Sequence, residues 1–182
     1  ENDKLNQTEY TQICMLAVET AILKAVETQG IQSDVNAGLS LGEYGALIAS
    51  GAMTMADAFA VVRKRGIYMQ EAVPTGGAMT AVLGLDPQVI EDICKKTADE
   101  TNSVVSVANY NCPGQIVITG EKAAVDAAAA ACSEAGAKRC VPLKVSGPFH
   151  SAMLKGAGEK LGGELKHVTV HTPKIPYVAN VT

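Results

Sequence analysis

Ser40 lies in Gly38-Leu39-Ser40-Leu41-Gly42, the G-x-S-x-G pattern of a nucleophile elbow. Glycines on both flanks allow the backbone crowding that pushes a Ser Oγ out at a strand-to-helix turn. A helix opening at Leu41 aims its first amides at a developing oxyanion, with the Leu41 N–H as one expected donor. A tight βα loop with a capping Ser is the other reading of the same five residues. A Ser hydroxyl is a poor nucleophile at neutral pH and needs a base. The chain has 3 histidines. His167 and His171 stand near Lys166 and Thr172 in a polar, alternating stretch and read as surface residues. His150 follows Gly147-Pro148-Phe149 on a bend where a side chain can be held at a domain boundary; a helix-capping His in a loop is the alternative. No HxxxH or HxxE arrangement occurs, so a metal site has little support.

Arg65 is the third residue of interest. Thr54 and Asp57 have capping-box spacing and open a helix expected to run to about Met69. On a helical projection Met55, Ala58, Phe59, Val61, Val62 and Met69 fill one arc, and Arg65 falls in its middle, whereas Arg63 and Lys64 fall outside. A charged side chain thus points into an apolar face. The residues alone favour a salt bridge inside the protein.

The elements that must hold these residues can be read from periodicity and punctuation. Over 10–29 apolar residues recur at Ile13, Leu16, Ala17, Ile22, Leu23 and Val26, a helical stripe closed by Gly30. An extended piece over 33–37 leads through the Gly-flanked Ser turn into a helix over 41–50 that Gly51 ends. Beyond Pro74-Thr75-Gly76-Gly77 the pattern predicts strand 78–84, helix 87–98, strands 104–109 and 115–119, helix 121–135 and strand 139–145. That order is βαββαβ, the ferredoxin-like plan. A helix over 151–167 and a strand over 175–178 follow. The expected fold is α/β: a larger core over 1–75 and 146–182, with a parallel sheet and an elbow, and an inserted small subdomain over 76–145.

Composition bounds the function classes. The 182 residues carry 15 Lys+Arg against 19 Asp+Glu, a net charge of −4, with 47% hydrophobic and 4% aromatic residues and no Trp. This is enough for one core, or one core and a satellite, and it excludes disorder, collagen and coiled coil. Without a basic cluster denser than Arg63-Lys64-Arg65, neither nucleic acid nor an anionic membrane is an expected partner. The longest uncharged stretch, 101–120, is broken by Asn, Pro, Gly and Gln and cannot span a membrane. The 5 cysteines are odd in number and form no CxxC pair, which fits a reduced, cytoplasmic compartment. The start, Glu1-Asn2-Asp3-Lys4, reads as an internal cut rather than a signal peptide.

Taken together, these residues resemble the malonyl-CoA:acyl carrier protein transacylases of fatty-acid synthesis and the related acyltransferase domains of polyketide synthases, over essentially the whole chain. Gly38-Leu39-Ser40-Leu41-Gly42-Glu43-Tyr44 resembles the family's GHSxGE elbow, and Arg65-Gly66 with Met69-Gln70-Glu71-Ala72 its arginine helix. Asn109-Tyr110-Asn111-Cys112-Pro113-Gly114-Gln115 is similar to its NxNxPxQ strand pair, and Pro148-Phe149-His150-Ser151 to its histidine turn. The resemblance implies an α/β-hydrolase-like core and a ping-pong reaction. Ser40 takes the acyl group, with His150 as general base and acid. Arg65 grips the free malonyl carboxylate as a bidentate fork. Coenzyme A leaves, and the phosphopantetheine thiol of acyl carrier protein collects the malonyl group.

Gln12, within Tyr10-Thr11-Gln12, resembles the family's TQP helix start and is expected to line the site. Phe149 resembles the residue that crowds out an α-methyl branch in malonyl-selective members, so malonyl over methylmalonyl is expected. Asn109 and Asn111 either position the pantetheine arm or satisfy the strand-pair turn. No cofactor and a monomer are expected.

Leu39 stands where much of the family has His, no GQGxQ oxyanion loop occurs, and the chain reaches Asn180-Val181-Thr182 without the group that orients the catalytic His. Two other classes stay open. A serine esterase shares GxSxG but needs an acid between Ser and His, and Asp57, Asp86, Asp92 and Asp126 fall at helix starts or within helices. The other is a catalytically silent fragment or interaction module.

Overall fold

The computed structural model describes residues 3–145 and 147–181. The chain divides into two compact units, Glu1–Tyr68 with Glu159–Thr182, and Met69–Gly158.

The first unit contains helix α1 (Thr8–Thr28), strand β1 (Asn36–Ala37), helix α2 (Gly42–Ala49), most of helix α3 (Met55–Ala72), the later turns of helix α6 (Lys155–Leu165) and strand β6 (Tyr177–Val178). Among the described residues its sheet is the parallel pair β1 and β6, with Asn36 opposite Tyr177 and Ala37 opposite Val178. Leu16, Leu41, Met53, Ala58 and Val62 form the core, flanked by Ile13, Tyr44, Leu47 and Phe59.

The capping box forms: Thr54 Oγ1 donates to Asp57 Oδ2 at 2.6 Å and accepts the Asp57 N–H at 3.1 Å. At Gly66 the backbones of α3 and α1 nearly touch, since a Cβ there would lie 3.0 Å from both Glu9 Cα and Thr8 O. This close approach places the middle of α3 beside the first turns of α1.

The buried side of α1 differs from the apolar stripe read in the sequence. Thr8, Gln12, Leu16 and Thr20 are buried, each four residues after the last, while Ile22 and Val26 are exposed at 58% and 37%. Polar residues can line this seam because their hydrogen bonds are satisfied within it: Gln12 Nε2 donates to Thr8 Oγ1 at 2.8 Å, and Thr20 Oγ1 donates to Leu16 O at 2.8 Å.

The second unit runs β2 (Gly77–Leu83), α4 (Pro87–Thr101), β3 (Val105–Cys112), β4 (Gln115–Glu121), α5 (Lys122–Glu134), β5 (Arg139–Pro142). Its four strands form an antiparallel sheet in the order β3-β4-β2-β5. Asp86 caps α4 by accepting the Gln88 N–H at 2.9 Å, with Pro87 in the first turn. Asn102, at φ 49°, closes the helix in the left-handed region, so α4 runs to Thr101 rather than stopping at Ala98.

Val82, Ile116 and Ile118 pack with Ile90, Cys94, Val125 and Cys132 of the two helices. Val117 is buried too, with Met79, Ala81 and Phe149 on the sheet's other face. β4 is therefore apolar on both faces. β5 stops at Pro142 instead of reaching Val145, although the Leu143 N–H still donates to Met79 O at 2.9 Å. A proline has no N–H to donate, which suits this edge position.

Candidate active site

Ser40 leaves β1 at φ 54°, and α2 opens directly behind it with Leu41 at its N-cap. Non-glycine residues in the left-handed region carry roughly 1–3 kcal/mol of strain and persist where the surroundings hold them. Gly38 is one such support: a Cβ on it would lie 2.0 Å from Gly42 O. Gly42 is different, with no atom within 4 Å of where its Cβ would be. The expected crowding at both glycines is thus found at Gly38 alone, because Gly42 already has helical geometry and an open flank. Gly38→Ala should destabilise the full-length polypeptide by about 3 kcal/mol. Gly42→Ala should be neutral or stabilise it by roughly 0.4–1 kcal/mol. Thermal unfolding of the two variants checks this, and equal losses would contradict it.

The second support comes from the far end of the chain. The pairing of β6 with β1 brings Asn180 alongside the elbow. Its Oδ1 accepts the Ser40 N–H at 2.5 Å, its Nδ2 donates to Gly38 O at 2.5 Å, and its own N–H donates to Glu43 Oε1 at 3.4 Å.

The Ser40 hydroxyl faces Arg65. Arg65 Nη2 donates to Ser40 Oγ at 3.0 Å, and Nη1 donates to Gln12 Oε1. The guanidinium also lies 5.9 Å from the centre of the Tyr44 ring. Half-buried, Arg65 is pulled below its usual range by desolvation, an effect that Tyr44 and Glu43 oppose. Arginine starts so far above neutrality that it keeps its charge. The salt bridge expected from the apolar arc is absent: among the described residues of this unit, no carboxylate lies within ion-pair distance of Arg65. Its neighbours are a hydroxyl, an amide and a phenol ring. A partly desolvated cation whose hydrogen-bond partners are neutral, with Glu43 beyond ion-pair distance, is set up to receive an anion.

The remaining candidates belong to the second unit. Phe149 packs on Met79, Ala81 and Val117, and His150 follows it, exposed, at φ 60°. Ser151 then opens a short turn, donating to Pro148 O at 2.7 Å and accepting the Met153 N–H at 3.3 Å. Among the described residues the non-glycine positions with positive φ are Ser40, Asn102 and His150. Asn102 ends a helix, where that conformation is ordinary. The other two are the candidate nucleophile and candidate base singled out from the sequence. Asn109 sits at an irregularity of β3 opposite Val117, and Asn111 is exposed near the Pro113-Gly114 hairpin turn.

Other chemistry finds less support. Among the described residues no group of three or more His, Cys, Asp or Glu is placed to hold a metal ion. Burial pushes the Cys94 thiol up to about 12 and the Cys132 thiol up to about 11, which leaves both inert as nucleophiles at neutral pH. No helix among the described residues is long and apolar enough to cross a membrane.

Sequence reasoning did not single out Asn180, Glu43 or Tyr44. The last two lie in the resembling elbow segment, and that proximity was a usable signal. Nothing local marks Asn180, which stands 140 positions from Ser40.

Comparison with known proteins places the chain in a family. Residues 1–182 match the acyl transferase domain family. The chain is 45% identical over 181 residues to the malonyl CoA-acyl carrier protein transacylase of Bacillus subtilis, covering 99% of this chain and 57% of that protein. It superposes on the MCAT of Streptococcus pneumoniae with a TM-score of 0.92 at 52% identity, over 98% of this chain and 58% of that one. A malonyl-transacylase solved in complex with its type II PKS acyl-carrier protein gives a TM-score of 0.95 at 44% identity, over 100% and 59%. The chain therefore spans a little under three fifths of the length of these relatives.

Proposed function

The chain belongs to the acyl transferase domain family, and from that membership we propose that the polypeptide carrying it transfers a malonyl group from coenzyme A to the phosphopantetheine thiol of an acyl carrier protein. The observation that carries the reading is the contact between Arg65 and Ser40 Oγ, with neutral hydrogen-bond partners on the guanidinium and the Glu43 carboxylate beyond ion-pair distance. In this reading Ser40 is the nucleophile and Arg65, which forms no ion pair among the described residues of its unit, is the carboxylate receptor beside it. A three-carbon diacid esterified at Oγ ends within reach of that receptor, whereas an acetyl group offers it nothing.

In the first half-reaction His150 takes the Ser40 proton as Oγ attacks the thioester carbonyl. The oxyanion draws on the Leu41 N–H at the start of α2. Collapse breaks the C–S bond, and the proton held by His150 goes to the departing coenzyme A sulfur. In the second half-reaction His150 deprotonates the pantetheine thiol, which attacks the malonyl-Ser40 ester and regenerates the hydroxyl. Gln12 orients Arg65, and Arg65 holds the malonyl carboxylate as a fork. Phe149 disfavours an α-methyl branch, and Asn109 and Asn111 meet the pantetheine arm.

The fold assigned to this activity is an α/β-hydrolase-like core with a ferredoxin-like subdomain, for which the strand order of the second unit is the support. The acyl carrier protein bound to a solved relative supports the same class of partner here. The reaction belongs to fatty-acid synthesis in the cytoplasm and calls for no cofactor. Incubating the full-length polypeptide with labelled malonyl-CoA should give an acyl adduct on Ser40 by mass spectrometry, discharged by holo acyl carrier protein. No adduct, or one released to water alone, would overturn the reading.

A further inference from the structure

We propose that Asn180 is a positioning residue for the nucleophile: its carboxamide clamps the elbow and holds Ser40 in the strained conformation from which Oγ reacts. The inference rests on the acyl-transfer reading for its chemistry, but its geometry stands apart from the substrate.

One carboxamide bonds two successive peptide units of the turn. Its Oδ1 accepts from the Ser40 N–H and its Nδ2 donates to the Gly38 carbonyl, while the Asn180 backbone N–H reaches the Glu43 carboxylate in the first turn of α2. Gly38, Ser40 and Glu43 mark the entry, apex and exit of the elbow, so one residue ties all three. A left-handed Ser relaxes toward negative φ unless its flanking amides are held. Relaxation would swing Oγ, which now sits 3.0 Å from Arg65 Nη2. An amide is the side chain that suits this task, since it presents a donor and an acceptor from one planar group to an N–H and a C=O that both need partners.

The test uses Asn180→Ala and Asn180→Asp in the full-length polypeptide. Two rates are measured: acylation of Ser40 by malonyl-CoA, and labelling of Ser40 by a fluorophosphonate, which reports nucleophilicity without a malonyl group. For Asn180→Ala both rates should fall about 100-fold, the scale of a small misplacement of a reacting group. The KM for malonyl-CoA should stay within about twofold, because Arg65 and Gln12 are untouched.

Asn180→Asp keeps the acceptor for the Ser40 N–H. When ionised, its second oxygen opposes the Gly38 carbonyl, and when protonated it again donates there. Its rate relative to the unsubstituted protein should therefore rise as pH falls, while the Asn180→Ala ratio stays flat. With both rates taken per folded molecule, a role confined to overall stability moves neither ratio with pH.

Wild-type labelling rates in Asn180→Ala, or Asp and Ala deficits that coincide at every pH, would overturn the inference. If Asn180→Ala does not fold, the pH dependence of the similarly sized Asp variant decides alone. If malonyl-CoA fails to acylate the unsubstituted protein, the acyl-transfer reading falls, and the fluorophosphonate comparison still decides the role of Asn180.

Discussion

Ser40→Ala in the full-length polypeptide is expected to abolish the malonyl adduct and to lower transfer to acyl carrier protein by on the order of a million-fold, the scale seen when a serine nucleophile is deleted from a unit acting in concert. In the proposed reaction Ser40 supplies the oxygen that carries the acyl group between two thiols, and without it the ping-pong path has no intermediate. His150→Ala should fall in the same range. The double variant should be little worse than either single one, because once one member is lost the other has no proton to exchange. Intact-mass measurement and single-turnover transfer assays check both. An adduct that survives Ser40→Ala would place the nucleophile elsewhere. A double variant much slower than both single ones would mean that the two residues act independently.

Arg65→Ala is expected to lower kcat/KM for malonyl-CoA by about 100- to 1000-fold, corresponding to roughly 3–4 kcal/mol for a carboxylate left without its charged partner in a partly desolvated site. Transfer of acetyl, which has no carboxylate, should fall by about tenfold or less. That residual loss measures the other contribution of Arg65, its hydrogen bond to Ser40 Oγ. The split between the two acyl groups is therefore the diagnostic quantity. Equal losses would mean that Arg65 supports Ser40 alone. Arg65→Lys should not restore malonyl transfer, since a point ammonium cannot present the two parallel donors of the guanidinium fork.

Much of the local structure was legible in the sequence. The Thr54/Asp57 cap, the Asp86-Pro87 helix start and the order of strands and helices over 77–142 follow from residues within a few positions of one another. The elbow belongs to the same class, because a Gly where a Cβ would strike Gly42 O and a Ser ahead of a helix are both local constraints. Three features depart from that reading. α1 turned Gln12 and Thr20 inward rather than Ile22, and each satisfies its polar group by a hydrogen bond one turn back along α1 itself. β5 ended early at an edge proline. The apolar arc around Arg65 identified an anomaly but could not say what the guanidinium meets.

By itself the sequence determined the turn that strains Ser40, the helix that carries Arg65 and the family these motifs resemble, since all three depend on residue type at short spacing. The tertiary structure decided which groups touch. Gly66 let α3 settle on α1 so that Arg65 reaches Gln12, the register of β1 against β6 delivered Asn180 to the elbow, and Arg65 was left facing Ser40 with no acid beside it in its unit. Backbone preference is a property of neighbours along the chain, whereas a side chain's partner is set by where distant backbone comes to rest. The charge of Arg65 was visible from the start, and the neutral hydrogen-bond partners it meets, Ser40 and Gln12, became visible when the chain was folded.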